Sequence, residues 1–211
     1  MQDHNTISLI VRVGESNSQS STITNLAKLQ AAQAVFAANQ SGPLSAPGQP
    51  GIGFETIPSS ELKTLGATDL ITMNRTEQRH IIYFMETIVY PNYPVNGRPI
   101  FANESYISLT SGSVAPLSRG SITLTSNSLV DPPKIDPGVS PLFLSPLKLI
   151  YCPLMQYLTN KADFAISRRQ FGKLRQILAS PAFDGITEGS NNGEVIPGPN
   201  VTTEDTVAVD A

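Results

Sequence analysis

Tyr106-Ile107-Ser108-Leu109-Thr110-Ser111 is the stretch on which the fold turns, and a turn at Ala115 to Gly120 separates it from Ser121-Ile122-Thr123-Leu124-Thr125. In the first run Tyr106, Ser108 and Thr110 face one way and Ile107, Leu109 and Ser111 the other. In the second, Ile122 and Leu124 alternate with hydroxyl residues. A two-residue alternation of this kind predicts strands. Upstream, Ile7, Leu9, Val11 and Val13 alternate with Ser8, Ile10 and Arg12, which predicts a half-buried strand that Gly14 ends.

Helical spacing lies between and after these strands. From about Thr24 to Asn39, Leu26, Leu29, Ala32 and Phe36 recur at three- and four-residue steps in an Ala- and Gln-rich background. A short helix is expected at Pro58, with Ser59 and Ser60 accepting its first amide hydrogens. A third is expected from Thr76, with Ile81, Phe84, Met85 and Ile88 as its apolar stripe and Pro91 and Pro94 as its stop. The last runs from Asn160 to about Ala179, with Phe164, Phe171, Leu174 and Leu178 on one side, before Ser180-Pro181. Gly42 to Gly53 is dense in Gly and Pro and reads as a shaped loop. Asp131 to Pro137 reads as extended, and Val195-Ile196 as an edge strand. The order predicts an α+β fold, a mainly antiparallel sheet with helices packed on one side.

At 211 residues, one substantial core is the default. A 15% share of charged residues and a formal charge of -3 give no general attraction to polyanions, so nucleic acid is not an expected partner. Cys152 is the only cysteine, which excludes an internal disulfide and a cysteine-based zinc cluster. No apolar run approaches the ~18 residues of a membrane helix. Met1 is followed by polar residues, so neither signal peptide nor anchor is expected in the chain as written. Sequons stand at Asn39, Asn74, Asn103 and Asn200, where this Asn-, Ser- and Thr-rich composition produces about two or three by chance, a weak hint of secretion.

The residues that could carry chemistry are few. Gly51-Ile52-Gly53 begins like a dinucleotide-binding pattern, but Thr56 stands at the third glycine and Pro58 interrupts the helix that should come next. His4 and His80 are the only imidazoles. His80 is expected on the polar shoulder of the helix from Thr76, in a surface or capping role, and His4 near a poorly ordered end. Asp131 and Asp136 beside prolines read as turn chemistry. Arg168, Arg169, Lys173 and Arg175 read as a solvated face of the last helix. Composition and spacing therefore stop at an α+β domain without a self-contained active site.

Several runs, in order along nearly the whole chain, resemble the middle of fungal glucose-methanol-choline (GMC) oxidoreductases, the group of aryl-alcohol oxidases and glucose oxidases. Gln2-Asp3-His4 resembles the end of the family's N-L-Q-D-H stretch. Gly51 to Pro58 resembles a segment of the substrate domain. Ala115 to Gly120, with Ser121 to Ser126 after it, is similar to the family's S-R-G-x-V-x-L pattern. Asp131 to Pro137, Ile177 to Pro181, and Gly193 to Pro199 with Thr202 to Asp205 resemble the family's later extended segment, helix end and tail.

The resemblance implies a partial substrate-binding domain over 1–211. Intact relatives bind FAD through an N-terminal G-x-G-x-x-G unit. They oxidise an alcohol or sugar by hydride transfer to the flavin, with a C-terminal histidine as base. The flavin-binding domain and the H-x-x-G-T catalytic segment are expected to be missing partners of this chain, so no flavin or catalytic residue carries over. The fragment is then expected to bind no cofactor alone, to be inactive alone, and to come from a secreted type of enzyme. Phe101, Thr110 and Gly112 are implied as substrate-pocket wall. A rival reading is a stand-alone binding or interaction domain without redox chemistry.

The resemblance breaks over Val139 to Gln156, which carries the apolar Leu142, Phe143, Leu144, Leu147, Leu149, Ile150 and Tyr151. Val139-Ser140 and Gln156 can be encoded as intron borders, so 139–156 is hypothesised to be a retained intron, with a loop at the pocket mouth as the alternative. A mature transcript that keeps these codons would decide for the loop.

Overall fold

The computed structural model describes residue 2 and residues 4–89, 104–136 and 159–202 of the chain. Phe101 and the segment 139–156 lie outside the described residues.

Strand β1 (Thr6–Arg12) and strand β4 (Tyr106–Ser113) pair antiparallel at the centre, with Ser8 opposite Thr110 and Leu9 opposite Leu109. Strand β3 (Ile81–Glu86) lies beside β4, strand β2 (Gly51–Glu55) beside β3, and strand β7 (Glu194–Ile196) on the far side of β1. The five-stranded order is β2-β3-β4-β1-β7. A separate ribbon joins β5 (Ser121–Thr123) to β6 (Lys134–Asp136), with Ile122 opposite Ile135. Every pairing among these strands is antiparallel, and the fold is α+β.

The helices are α1 (Ser20–Thr24), α2 (Leu26–Asn39), α3 (Ser59–Thr64), α4 (Thr68–Thr72) and α5 (Lys161–Leu178). Asn25 breaks the first predicted helix in two and caps α2, its side chain accepting the Lys28 N–H at 3.2 Å. Of the predicted stripe on α2, Ala32 alone is buried, while Leu26 is 69% and Phe36 41% exposed. The main contacts of α2 are with α1 and the Pro43–Ser45 turn, so nothing in them covers the stripe.

Helix α5 behaves as its period demands. Asn160 caps it, accepting the Ala162 N–H at 2.8 Å, and Phe171, Leu174 and Leu178 pack against Ile7, Leu9, Val11, Val13, Ile107 and Leu109 of the sheet. Burying each of these side chains is worth roughly 1.5–3 kcal/mol, which makes this face the main source of stability. A second cluster joins Ile57, Leu62, Ala67, Leu70 and Ile81 to Ala162 and Ile166 of α5.

Three expectations are corrected. The run predicted as a helix from Thr76 is strand β3. Ile81-Ile82-Tyr83-Phe84-Met85 is apolar at every position, so it fits helical spacing by accident, and its β-branched and aromatic residues pair between β2 and β4. The end of the predicted Gly42 to Gly53 loop is strand β2. It is an edge strand, the place where glycine is tolerated. Helix α3 has Pro58 at its N-cap, with no side-chain bond from Ser59 or Ser60.

Candidate functional site

The register divides the sheet into two faces. Ile7, Leu9, Val11, Ile107, Leu109 and Ser111 share the α5 side with Ile81, Tyr83 and Met85. The second face carries Thr6, Ser8 and Ile10 of β1, Ser108, Thr110 and Gly112 of β4, Ile82, Phe84 and Glu86 of β3, and Ile52 and Phe54 of β2.

Three kinds of surface succeed one another across that second face. At one end Ile10, Tyr106 and Val89 form a small buried cluster with Val195 and Ile196. In the middle, the Ser8 and Thr110 hydroxyls lie 2.8 Å apart, and the Thr110 hydroxyl donates to Glu86 Oε2 at 3.4 Å. With the Thr110 hydrogen committed to the carboxylate, Ser8 is the donor in the first of these bonds. Glu86 is only 3% exposed, and its other bond, from the Gln49 side-chain amide, is 3.5 Å. Both bonds are long for a buried carboxylate. At the β2 edge Ile52 and Phe54 are more than half exposed.

Gly112 lies at the other end of this face. A Cβ there would lie 3.3 Å from both Ile82 Cγ2 and Thr6 Cγ2, so a side chain needs its two cross-strand neighbours to give way. Thr110 and Gly112 therefore sit two residues apart on one face, and Phe101 lies outside the described residues.

The two histidines differ from expectation and from each other. His80 is buried, not on a helix shoulder. Its Nδ1 accepts the Ile57 N–H at 2.9 Å and its Nε2 donates to the Arg75 carbonyl at 3.1 Å, which defines a neutral ring. Burial pushes its pKa down, the Arg75 carbonyl bond opposes this, and the Arg169 charge adds to the lowering. His80 is a structural tie between β3, α3 and the α4–β3 connection. His4 is exposed, and its Nδ1 donates to the Ser113 carbonyl at 2.6 Å.

The basic residues of α5 are also not the solvated face expected of them. Arg169 forks onto Glu55 at 2.6 and 3.0 Å and onto Glu61 at 2.5 and 3.2 Å. The Glu55 carboxyl is held below the usual carboxylate range mainly by its hydrogen bonds from Arg169, against the cost of burial. Tyr83, pushed up by burial and by Glu55, keeps its proton and donates it to Glu55 at 2.6 Å. Arg175 grips Glu194 at 2.7 and 2.9 Å, donates to the Val201 and Gly198 carbonyls, and lies 4.4 Å over the Phe171 ring.

Asp131 accepts from the Ser126 hydroxyl in an exposed turn, as the turn reading expects. The carboxylate with structural weight is Asp163, fully buried in the first turn of α5. It accepts the Leu117 N–H at 2.8 Å, the Ser118 N–H at 2.6 Å and the Ser118 hydroxyl at 2.5 Å, fixing the turn after β4 to the start of the helix.

No protein-family model matches the chain. It is 25% identical over 209 residues to the glucose-methanol-choline family oxidoreductase mfmG of Annulohypoxylon moriforme, covering 98% of this chain and 31% of that protein. It is 27% identical over 169 residues to dehydrogenase pkfF of Emericella nidulans, covering 79% of this chain and 24% of that protein. The resemblance to the GMC oxidoreductases holds. A solved formate oxidase of Aspergillus oryzae, a protein described by its FAD modification, superposes with a TM-score of 0.67 at 18% identity, over 99% of this chain and 34% of its own. That likeness is one of fold. The chain spans about a quarter to a third of the length of these proteins.

The Gly51-Ile52-Gly53 segment does not fit a holder for the FAD diphosphate. Gly51 and Gly53 lie inside edge strand β2, and the helix after them has six residues and opens at Pro58. A diphosphate cradle needs a glycine turn leading into a helix N-terminus. No group of three His, Cys, Asp or Glu among the described residues could hold a metal ion. No helix among them is long and apolar enough to cross a membrane.

Sequence reasoning missed Glu86 and the hydroxyl chain leading to it. Ser8 and Thr110 were visible in the alternation of their strands, but Glu86 ends a run read as helical, which hid the face it occupies.

Proposed function

We propose that this chain is the substrate-covering part of an FAD-dependent oxidoreductase that oxidises the CH–OH group of an alcohol or sugar, and that the second face of its sheet is a wall of the substrate pocket. The observation that carries the reading is the makeup of that face. Thr110 and Gly112 share it with a hydroxyl chain ending on buried Glu86, while Ile82, Phe84 and Phe54 supply apolar surface beside them. A small polar group within an apolar surround is the makeup of small-molecule sites.

FAD supplies the hydride acceptor when bound, and other polypeptide holds it. The residues of this chain shape the cavity, exclude water from it and orient the alcohol by hydrogen bonds. The exposed Ile122, Leu124, Leu129, Val130 and Ile135 around the β5–β6 ribbon are a docking surface for the flavin-bearing part, which buries them.

The test has two arms. The chain alone, mixed with FAD and a panel of alcohols and sugars, is expected to stay colourless after desalting and to leave the substrates unchanged. In a longer polypeptide that includes the flavin-binding part, Thr110→Val and Gly112→Ala are expected to change KM for the alcohol while the flavin spectrum stays the same. Turnover by the chain alone, or wall variants with unaltered kinetics, would overturn the reading.

A further inference from the structure

A cleft of about 390 Å³ is lined by Gln2, His4, Arg75, Gln78 and Val114. Its walls come from three segments distant in sequence: the residues before β1, the α4–β3 connection and the residue after β4. We propose that it is an oxyanion site that takes the carboxylate of a small organic acid. The proposal goes beyond the reading of the sheet face and does not depend on it.

Arg75 carries the argument. It is half-buried, and its guanidinium has no carboxylate or carbonyl partner among the described residues. Arg12, Arg169 and Arg175 each pair with a carboxylate, Arg119 donates to two carbonyls and Arg79 to the Thr56 hydroxyl, whereas Arg168 Nε, like the Arg75 guanidinium, has no such partner among the described residues. A cation partly removed from water without a counter-charge is unfavourable, and an anion in the cleft offsets that.

The Arg75 backbone is held on several sides, which fixes the root of the side chain. Its N–H donates to the Leu70 carbonyl at 2.9 Å, and its own carbonyl accepts from the Gln78 N–H and from His80 Nε2, both at 3.1 Å. The opposite wall is fixed too. Gln2 donates its side-chain amide to the Pro116 carbonyl at 2.8 Å, and His4 is held by Ser113.

Charge and shape favour a carboxylate. The planar guanidinium matches a carboxylate with two parallel hydrogen bonds, and the Gln78 amide offers further donors. Arg75 is the one permanently charged side chain in the described lining, so it balances a monoanion and leaves a phosphate dianion under-compensated.

The test is a titration of the full chain with sodium acetate, read by NMR of arginine Nε–H and glutamine side-chain amide signals. Sodium chloride and inorganic phosphate at matched ionic strength run in parallel. Acetate is expected to shift the Arg75 and Gln78 signals saturably, and chloride to leave them in place. Arg75→Gln is expected to weaken binding about tenfold or more. Arg79→Gln, at an exposed residue bonded to Thr56, is expected to leave binding unchanged. Absence of a saturable acetate shift, binding that survives Arg75→Gln, or tighter binding of phosphate than of acetate would overturn the assignment.

Discussion

On the α5 side the central strands present Leu9, Val11, Ile107 and Leu109 to Phe171, Leu174 and Leu178, whereas on the other side they and β3 present Ser8, Thr110 and Glu86, with no comparable helix packed on them among the described residues. The difference is one of composition. The first face is closed by apolar contact, with Asp163 and Arg169 partnered, and it also buries Asn5 Oδ1, Ser111 Oγ, Arg168 Nε and Gln170 Oε1 without a hydrogen bond among the described residues. The second mixes a buried carboxylate on two long bonds with an edge that leaves Ile52 and Phe54 in solvent. On the proposed function, the part that holds the fold and the part that meets a ligand then lie on opposite faces.

The largest effect is expected where the first face is pinned. Asp163→Ala removes the acceptor of the Leu117 and Ser118 amides and the Ser118 hydroxyl, leaving buried donors unpaired, and should cost roughly 3–5 kcal/mol. Urea unfolding monitored by circular dichroism measures this. A loss near zero would mean that the turn after β4 is not held from α5, and the contrast between the faces would fail.

Next in size is Arg169→Ala, which leaves Glu55 and Glu61 side by side without their cation. Partial exposure screens the pair, so the expected loss is about 1–3 kcal/mol. Glu55 sets the sign with pH. Its folded pKa is depressed, so the stabilisation is present above the ordinary carboxylate range and is lost as the pH falls through the folded value. The variant should therefore unfold less steeply in acid than the parent, as denaturant midpoints between pH 6 and pH 3 would read.

Much of this division was legible in the sequence, and the failures have identifiable causes. β1, β4 and α5 announced themselves because each has one face buried and one not, so the side-chain period survives in the residue pattern. β3 did not, because it lies between two strands and is apolar at every position from Ile81 to Met85, so strand and helix periods fit equally well. That error hid His80 and Glu86 together. The reverse failure is α2, whose stripe predicted a core that its main contacts among the described residues do not supply. The proposal of Thr110 and Gly112 as pocket wall comes only from the family resemblance. The Arg75 cleft gave no signal in sequence, since its walls meet only through the tertiary fold.

His80 sharpens the same comparison by titration. Burial holds its folded pKa below the ordinary value of about 6.5. Above that value both folded and unfolded chains carry a neutral ring, and nothing is lost. As the pH falls below it, the unfolded chain takes up the proton first, so stability declines toward the depressed folded pKa. Between pH 7 and pH 5 the parent should lose stability that His80→Gln does not lose, even though the variant starts lower by sacrificing the fit to Ile57 and Arg75. Parallel slopes for the two proteins would show that His80 does not titrate in this window.

The smallest change belongs to the second face, and its smallness is the point. Thr110→Val keeps the shape of the side chain and removes the hydroxyl between Ser8 and Glu86. Bonds this long contribute little, so the expected loss is about 1 kcal/mol or less, readable as a shift in denaturant midpoint with an unchanged slope. Ser8 can still turn its hydrogen toward other acceptors, and Glu86 retains Gln49. A loss as large as that of Asp163→Ala would mean that the hydroxyl chain is part of the scaffold. The second face would then be a core of its own, and its polar middle would no longer need a ligand to explain it.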